Sequence, residues 1–199
     1  MVLFCAMHAS TSASVRILLA CMLLAPAAPL AVAQTKPPVT SIASHPDWPK
    51  ARAADVHSVD AILAALYDVI SGPAGQPRDW DRFRSLFVPD ARLIPVRHAK
   101  SGNGADVLPL TPDRYIELSS HALSQGFFER GIHNTVNSFG DIVDVFSTYE
   151  SRHAKADAKP FVRGVNSIQL LKDGDRYWVV TILWDDERSG AQLPAKYLP

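Results

Sequence analysis

The strongest constraint on the fold lies in the C-terminal half of the chain, where turn residues separate four strand-like runs. The runs cover residues 128–139, 142–153, 161–171 and 176–186. Gly140-Asp141 separates the first two runs, and Asp173-Gly174 separates the last two. Short turns that contain Gly and Asp between β-rich runs are typical of hairpins. The pattern therefore predicts an antiparallel meander of four strands.

Three amphipathic segments precede these strands. Apolar residues at helical spacing predict three helices, which Ser58 or Asp55, Asp79 and Thr111 can cap. A short strand-like run over residues 91–96 lies between the second and third helices. The predicted fold class is α+β, with three N-terminal helices packed on a curved, mainly antiparallel sheet.

The first residues of the chain are typical of an export signal. Arg16 precedes an apolar stretch over residues 17–33, which ends in the small-x-small pattern Ala31-Val32-Ala33. We therefore expect cleavage before Gln34 and an exported protein, either periplasmic or secreted. The stretch is short and contains prolines, so we expect no permanent membrane span.

A lipoprotein is the alternative interpretation of this leader, because Cys21 follows the lipobox-like Leu18-Leu19-Ala20. Both cysteines, Cys5 and Cys21, lie in the leader, so the mature chain would have no disulfide and no thiolate nucleophile. The predicted organisation is a signal peptide over residues 1–33, a Pro-rich linker over 34–54, a folded domain over 55–188 and a C-terminal tail over 189–199.

Composition restricts the partners. The formal net charge is zero and the chain has no long basic run, which argues against nucleic-acid binding. The sequence has no HExxH motif, no phosphate loop and no close His/Asp cluster after the linker, so we expect no metal and no cofactor. The expected partners are a small-molecule ligand and a second copy of the chain.

The order of four segments resembles the nuclear transport factor two-like superfamily, which includes SnoaL-like cyclases, scytalone dehydratase and ketosteroid isomerase. The segments are the first helix and the stretches DWDRFRSLFVPDARLIP, FGDIVDVFSTYES and DGDRYWVVTILWDDE, within residues 55–188. The resemblance implies a cone whose open end often holds a small apolar ligand. It also implies, for many members, a dimer formed through the sheet.

Ketosteroid isomerase provides a test of the catalytic residues. Its helix-borne tyrosine can match Tyr67, but its general-base position falls at about Pro95. Its second oxyanion-hole acid falls near Asn166 or Ser167. Because neither carboxylic acid is present, the resemblance does not carry that activity. Tyr67 is a weak catalytic candidate or a tyrosine of the core.

Strand periodicity leaves open which sheet face lines the cone. One face, here the Glu150/Arg163 face, would carry His133, Thr135, Asp144, Phe146, Thr148, Glu150, Arg163, Val165, Ser167, Gln169, Trp178, Val180, Ile182 and Trp184. The opposite, apolar face would carry Ile132, Val136, Val143, Val145, Tyr149, Val162, Ile168, Leu170, Val179 and Leu183. The resemblance favours the Glu150/Arg163 face as the interior, because Trp184 falls where some members have a pocket tryptophan. The apolar face would then need a cover, which favours a homodimer.

On this interpretation Glu150 and Arg163 form a cross-strand ion pair at the cone. Arg163 would bind a ligand carboxylate or carbonyl while Glu150 orients it; the alternative is a pair that fixes strand register. The predicted ligand-binding set is Arg163, Glu150, Trp184, Phe146, Ser167 and Tyr67. His133 is a weak candidate for a general base or a structural residue.

Two classes of function follow. The first is a secreted SnoaL-like protein that binds a small apolar or weakly anionic ligand without catalysis. The second is a cofactor-independent isomerase, cyclase or dehydratase that acts on a small carbonyl or polyketide- or steroid-like substrate. The missing carboxylate of the first strand favours the first class.

Overall fold

A computed structural model describes residues 40–99, 104–188 and 190–199, so the predicted signal peptide lies outside the described residues. The helices are α1 (Ala53–Val56), α2 (Val59–Ile70), α3 (Trp80–Ser85) and α4 (Pro112–Leu123), and a short 3-10 helix covers Ala195–Tyr197. The strands are β1 (Phe87–His98), β2 (Ala105–Val107), β3 (Phe128–Phe139), β4 (Ile142–Arg152), β5 (Val162–Asp173) and β6 (Arg176–Asp186). None of the helices within these ranges is long and apolar enough to cross a bilayer.

The strands form one six-stranded mixed sheet in the order β2-β1-β6-β5-β4-β3. The pairing is antiparallel except between β1 and β6, which run parallel. The α+β class is therefore as predicted. The count of three N-terminal helices is not confirmed, because α1 is an additional short helix among the described residues; α4 follows β1, in the order that the strand-like run before the third predicted helix indicates.

Side-chain N-caps are present at the predicted starts of α2, α3 and α4. Ser58, Asp79 and Thr111 each accept a hydrogen bond from the backbone N–H three residues on, at 2.9–3.2 Å. These bonds satisfy N–H groups that have no acceptor within the first turn of a helix. Asp55, the alternative cap, instead binds the guanidinium of Arg82.

The packed structure begins before the predicted domain boundary. The indole Nε1 of Trp48 donates to the backbone oxygens of Arg84 and Phe87, both at 3.0 Å. Ile42 and Ala51 also contact the hydrophobic core. These residues lie in the range that the sequence predicts as a linker, so part of that range is packed against the domain.

The two hairpin turns differ in how well their positions were predicted. Gly140-Asp141 forms the first turn, as predicted, between the paired residues Phe139 and Ile142. The second turn is Gly174-Asp175, one residue later than predicted. Gly174 has φ +57°, and a two-residue turn with a positive φ at its first central position favours glycine there.

A bulge interrupts the pairing of β3 with β4. Gly131 pairs with Tyr149 and His133 pairs with Thr148, which leaves Ile132 as an extra residue. Because side chains alternate along a strand, an extra residue transfers everything beyond it to the other face. The β3 residues before the bulge therefore face opposite to the direction that uninterrupted alternation predicts.

A second bulge has the same effect in β6. Leu170 pairs with Val179 and Gln169 pairs with Thr181, so Val180 is extra. Beyond it, Trp184 pairs with Asn166 of β5, and the two side chains share a face. Together the two bulges bring Glu129 and Trp184 onto the apolar face of the sheet.

The helices cover the apolar face. Val143, Val145, Ile168 and Leu170 are buried in a hydrophobic cluster with side chains of α2 and α3. The prediction that the Glu150/Arg163 face is the interior is wrong, because it assumed unbroken alternation along β3 and β6. The sequence argument for a dimer loses its basis as well, since the helices already cover the apolar face.

Candidate functional site

A cavity of about 150 Å³ lies between the helices and the apolar face of the sheet. Its polar lining residues are Tyr67, Tyr115, Glu129, Tyr149 and Asn166. The other lining residues are Leu66, Ile70, Phe83, Phe87, Leu93, Phe127, Ile168, Ile182 and Trp184. A dry cavity of this size with apolar walls can hold a molecule about as large as benzene. We refer to it below as the inner cavity.

Glu129 is the charged residue in the lining of the inner cavity. Ser151 is the residue of β4 that pairs with Glu129, and its hydroxyl donates to Oε2 of Glu129 at 2.7 Å. Ser71 of the α2 C-cap holds the backbone of Glu129, because its Oγ accepts from the N–H at 3.0 Å. The sheet therefore anchors the side chain of Glu129, and the helix end anchors its backbone.

Burial raises the pKa of Glu129 to about 7. The hydrogen bond from Ser151 lowers this pKa, and the negative charge of Asp186 raises it. Desolvation dominates because an ionised carboxylate is poorly stabilised beside aromatic and aliphatic groups. Near neutral pH the carboxyl group can therefore either donate or accept a proton.

Tyr67 supplies a neutral hydroxyl beside the inner cavity. Its oxygen lies 2.6 Å from Oγ of Ser147 and accepts from Nδ2 of Asn166 at 3.3 Å. Burial raises the pKa of Tyr67 to about 12, so the phenol stays protonated. Gly131 gives its ring room, since a Cβ at that position would lie 2.9 Å from Cε2 of Tyr67.

Tyr149 has a similar arrangement on the neighbouring strands. Its hydroxyl donates to the carboxylate of Asp186, and burial raises the pKa of Tyr149. The ring passes over Gly164, where a Cβ would lie 2.5 Å from the phenolic oxygen. Glycine at this position allows the tyrosine to reach across β5.

Tyr115 of α4 completes the aromatic wall. Its ring stacks on Phe83, with centroids 5.3 Å apart, and meets Trp184 edge-on with centroids 6.4 Å apart. Burial raises the pKa of Tyr115, and the charge of Glu129 adds to the effect. The inner cavity thus combines three neutral phenols with one carboxyl group that titrates near neutrality.

The structure brings only part of the predicted site together. Tyr67 and Trp184 line the inner cavity. The remaining predicted residues, Glu150, Arg163, Phe146, Ser167 and His133, are absent from its lining. Phe146 instead packs against Tyr197 near the C-terminus, with ring centroids 4.9 Å apart.

The predicted ion pair between Glu150 and Arg163 is wrong, although the two residues are paired across β4 and β5 as predicted. Glu150 binds Arg130 at 2.6 Å and also Arg152. Arg163 binds Glu187 at 2.8 Å. The carboxylate of Glu150 is therefore already bound by two guanidinium groups. Arg130 lies opposite it on β3, and Arg152 lies two residues further along β4.

Sequence reasoning missed Glu129, Tyr115, Tyr149 and Asn166 as members of one site. Uninterrupted alternation assigns Glu129 to the face opposite Tyr149. Gly131 within the strand-like run was the available signal, because an isolated glycine in a strand pattern indicates a bulge or a close approach. Here it marks both. Among the described residues, no cluster of three or more His, Cys, Asp or Glu could hold a metal ion.

No protein-family model matches the chain, and no curated protein matches its sequence. A solved protein of unknown function with a cystatin-like fold, from Nostoc punctiforme, is 10% identical with a TM-score of 0.50, over 66% of this chain and 90% of that one. An NTF-2-like protein of unknown function from Silicibacter pomeroyi is 15% identical with a TM-score of 0.45, over 65% and 92%.

A putative ketosteroid isomerase from Shewanella frigidimarina is 12% identical with a TM-score of 0.38, over 54% of this chain and 81% of that one. The match to the Nostoc punctiforme protein shows a likeness to its cystatin-like fold and nothing more. Low identity means that these matches assign no activity to the chain.

Proposed function

We propose that this domain binds a small, largely apolar ligand of about the size of one ring in the inner cavity. The observation that carries the proposal is an aromatic cavity with a few convergent polar groups, which is the usual composition of a small-molecule site. Glu129, Tyr67 and Asn166 supply the groups that can orient a carbonyl or hydroxyl oxygen of the ligand.

Binding of phenylpropanol, a neutral aromatic alcohol, tests this proposal by calorimetry or NMR titration. Ile182→Phe adds bulk to the wall of the inner cavity and should abolish binding. Leu183→Phe is the matched control, because Leu183 is 39% exposed and absent from the cavity lining. Melting curves should show that both variants are folded. Equal binding by both variants would contradict the proposed site.

Proton transfer is the second candidate function, and the raised pKa of Glu129 favours it. A general base works best when its pKa lies near the operating pH, and the value of about 7 for Glu129 satisfies this condition. The carboxylate would come from β3 rather than from the first strand, where the sequence has Pro95. The neutral hydroxyl of Tyr67 could donate to a developing oxyanion. This chemistry corresponds to an isomerase acting on a small carbonyl compound without a cofactor.

Exchange of the α-protons of a small cyclic ketone in heavy water tests this second function. We expect exchange faster than in buffer, a rate that follows the ionisation of one group near neutral pH, and loss of the excess rate in Glu129→Gln. A ketone that binds without accelerated exchange would rule out this catalysis and leave the binding function in place.

The proposed location is outside the cytoplasm, with a mature chain that begins at Gln34. The support is the sequence pattern before Gln34, which lies outside the described residues. Mass spectrometry of the exported protein should give that N-terminus. An acylated Cys21 as the first residue would show that the protein is a lipoprotein instead.

A homodimer is also proposed, with a surface different from the one that the sequence suggested. Phe139 and Ile142 are paired large apolar residues that flank the β3–β4 turn and are 85% and 60% exposed. Exposed apolar patches often mark contact surfaces. Light scattering should give a dimer mass that Phe139→Asp reduces to a monomer mass. A monomeric native chain would contradict the proposal.

A further inference from the structure

The two edges of the sheet differ in length and in charge. β2 forms one edge, covers only Ala105–Val107 and carries Asp106. β3 forms the other edge, covers Phe128–Phe139 and pairs only with β4 among the described strands. Sheets commonly protect an edge by keeping it short or by placing a charge or a proline on it. The β2 edge is both short and charged.

The end of α2 covers the start of the β3 edge. Gly72 and Phe127, which precedes β3, exchange two backbone hydrogen bonds at 2.7 and 3.1 Å. The hydroxyl oxygen of Ser71 accepts from the backbone N–H of Glu129 at 3.0 Å. The N–H groups that point away from β4 at this end therefore have acceptors.

Further along β3, the backbone groups of alternate residues also point away from β4. At the two ends of β4, the carbonyl oxygens of Asp141 and Ser151 accept from N–H groups in or next to β5, at 2.8 and 2.9 Å. The register between β4 and β5 has no shift, so the odd-numbered residues of β4 all direct their backbone groups to β5. Three of these residues pair with Asn134, Val136 and Ser138 of β3. The backbone groups of these three residues therefore point to the open side of β3.

This open part of the edge has none of the usual protection. Residues 134–139, with the sequence NTVNSF, are all exposed and include no charged residue and no proline. Within the part of the chain that the structure describes, the N–H groups of Asn134, Val136 and Ser138 donate to no backbone oxygen of another segment. An exposed edge of this kind can pair with a further strand.

The open edge is complementary to a second copy of itself. The uninterrupted part of β3 runs from His133, after the bulge, to Phe139, before the turn, so its centre is Val136. Antiparallel pairing about a two-fold axis would place Val136 opposite the partner's Val136 and Asn134 opposite the partner's Ser138. It would also place His133 opposite the partner's Phe139. Apolar, small polar and aromatic residues would each meet their own kind, and no like charges would meet.

We propose that two copies of this chain pair antiparallel through the open edge of β3, with Val136 at the two-fold axis, so that their sheets join into one. The inference rests on the proposed homodimer and specifies its surface. The edge-directed backbone groups would form about six hydrogen bonds between the chains. A groove of about 980 Å³ borders β3 at Gly131, where this register would place the partner's turn. Because such a pairing buries little surface, we expect a weak dimer that dissociates at micromolar concentrations.

Opposite charges at position 136 test this register. Val136→Lys and Val136→Glu would each place two like charges face to face at the two-fold axis, so each variant alone should dimerise about tenfold more weakly or worse. An equimolar mixture of the two variants should dimerise again, because opposite charges then face each other. Val180→Lys is the matched control, since Val180 is 37% exposed but lies on β6, between β1 and β5, and should leave the dimer unchanged.

Sedimentation equilibrium over a concentration series measures these dimers, and melting curves should show that every variant is folded. If the native dimer persists in both Val136 variants and is lost in Phe139→Asp, this inference is wrong and the proposed homodimer stands. If both Val136 variants are monomeric and their mixture stays monomeric, Val136 does not lie at the two-fold axis and the inference is also wrong. A native chain that is monomeric at every concentration would contradict both the inference and the proposed homodimer.

Discussion

Glu129 and Glu150 lie one residue pair apart on neighbouring strands, yet their surroundings are opposite. Glu129 pairs with Ser151, and the next pair along the strands is Arg130 with Glu150. Burial in the apolar cavity raises the pKa of Glu129 to about 7. Hydrogen bonds from Arg152 and Arg130 lower the pKa of Glu150.

The comparison shows that the pleat of a strand decides the chemistry of a carboxylate more than its position along the chain does. Adjacent residues point to opposite faces, so a shift of one residue exchanges an apolar cavity for a pair of guanidinium groups. The bulge at Ile132 determines which side chains at the start of β3 point to which face of the sheet. Both glutamates are suited to their faces only because that bulge is present.

Glu129→Gln should give the largest effect. Because the pKa of Glu129 is raised from 4.5 to about 7 in the folded state, the stability linked to its proton is complete below about 4.5 and is lost as the pH rises through about 7. A change in pKa of that size corresponds to about 3 kcal/mol. The variant should therefore be more stable than the native chain by about 3 kcal/mol at about pH 8 and nearly equal to it below about pH 5.

Urea unfolding at several pH values measures this difference. Glu117→Gln is a suitable control, because Glu117 is an exposed residue of α4, and its removal should change stability by less than about 0.5 kcal/mol. A Glu129→Gln variant that follows the native chain at every pH would show that Glu129 is not desolvated.

Glu150→Gln should have the opposite effect and lower the stability of the protein. It removes the negative charge that Arg130 and Arg152 share. Because a hydrogen bond to a charged group contributes about 1.5–3 kcal/mol to stability, we expect a loss of that order. Since the pKa of Glu150 is lowered, its contribution is present above the pKa of the unfolded state and is lost as the pH falls through the folded-state pKa. The loss of stability should be complete near neutral pH and should shrink in acid. Chemical denaturation near neutral pH with no loss would contradict this account of the outer face.

Arg163→Ala should give the smallest effect. Its side chain is 37% exposed and pairs with Glu187, so we expect a loss of about 0–1 kcal/mol in a thermal melt. The interpretation from sequence, a buried pair with Glu150, predicts about 3–5 kcal/mol instead. A loss in that higher range would support the Glu150–Arg163 pair and contradict the Arg163–Glu187 pair.

Local features of the fold could be predicted from the sequence. The side-chain caps at Ser58, Asp79 and Thr111 and the turn at Gly140-Asp141 are where the residue types indicate them. Each depends on chemistry within four residues of the chain, and neighbouring residues are enough to identify it.

The candidate site could not be predicted in the same way. Glu129 and Trp184 reach the inner cavity because of two bulges. The extra residues in these bulges, Ile132 and Val180, are of types that are ordinary in strands. The raised pKa of Glu129 further requires distant segments to exclude water from its carboxyl group. Tyr67 was identified because its helix position matches a known arrangement, whereas Glu129 has no counterpart there.

Direct titration of the two glutamates by carbon-detected NMR tests the central claim most directly. The side-chain carboxyl resonances of Glu129 and Glu150 would be assigned from their disappearance in Glu129→Gln and Glu150→Gln. We predict a midpoint of about 7 for Glu129 and a midpoint below the ordinary glutamate value of 4.5 for Glu150. Titration of both carboxyl groups near 4.5 would contradict the claim that Glu129 is a buried proton donor and acceptor at the inner cavity.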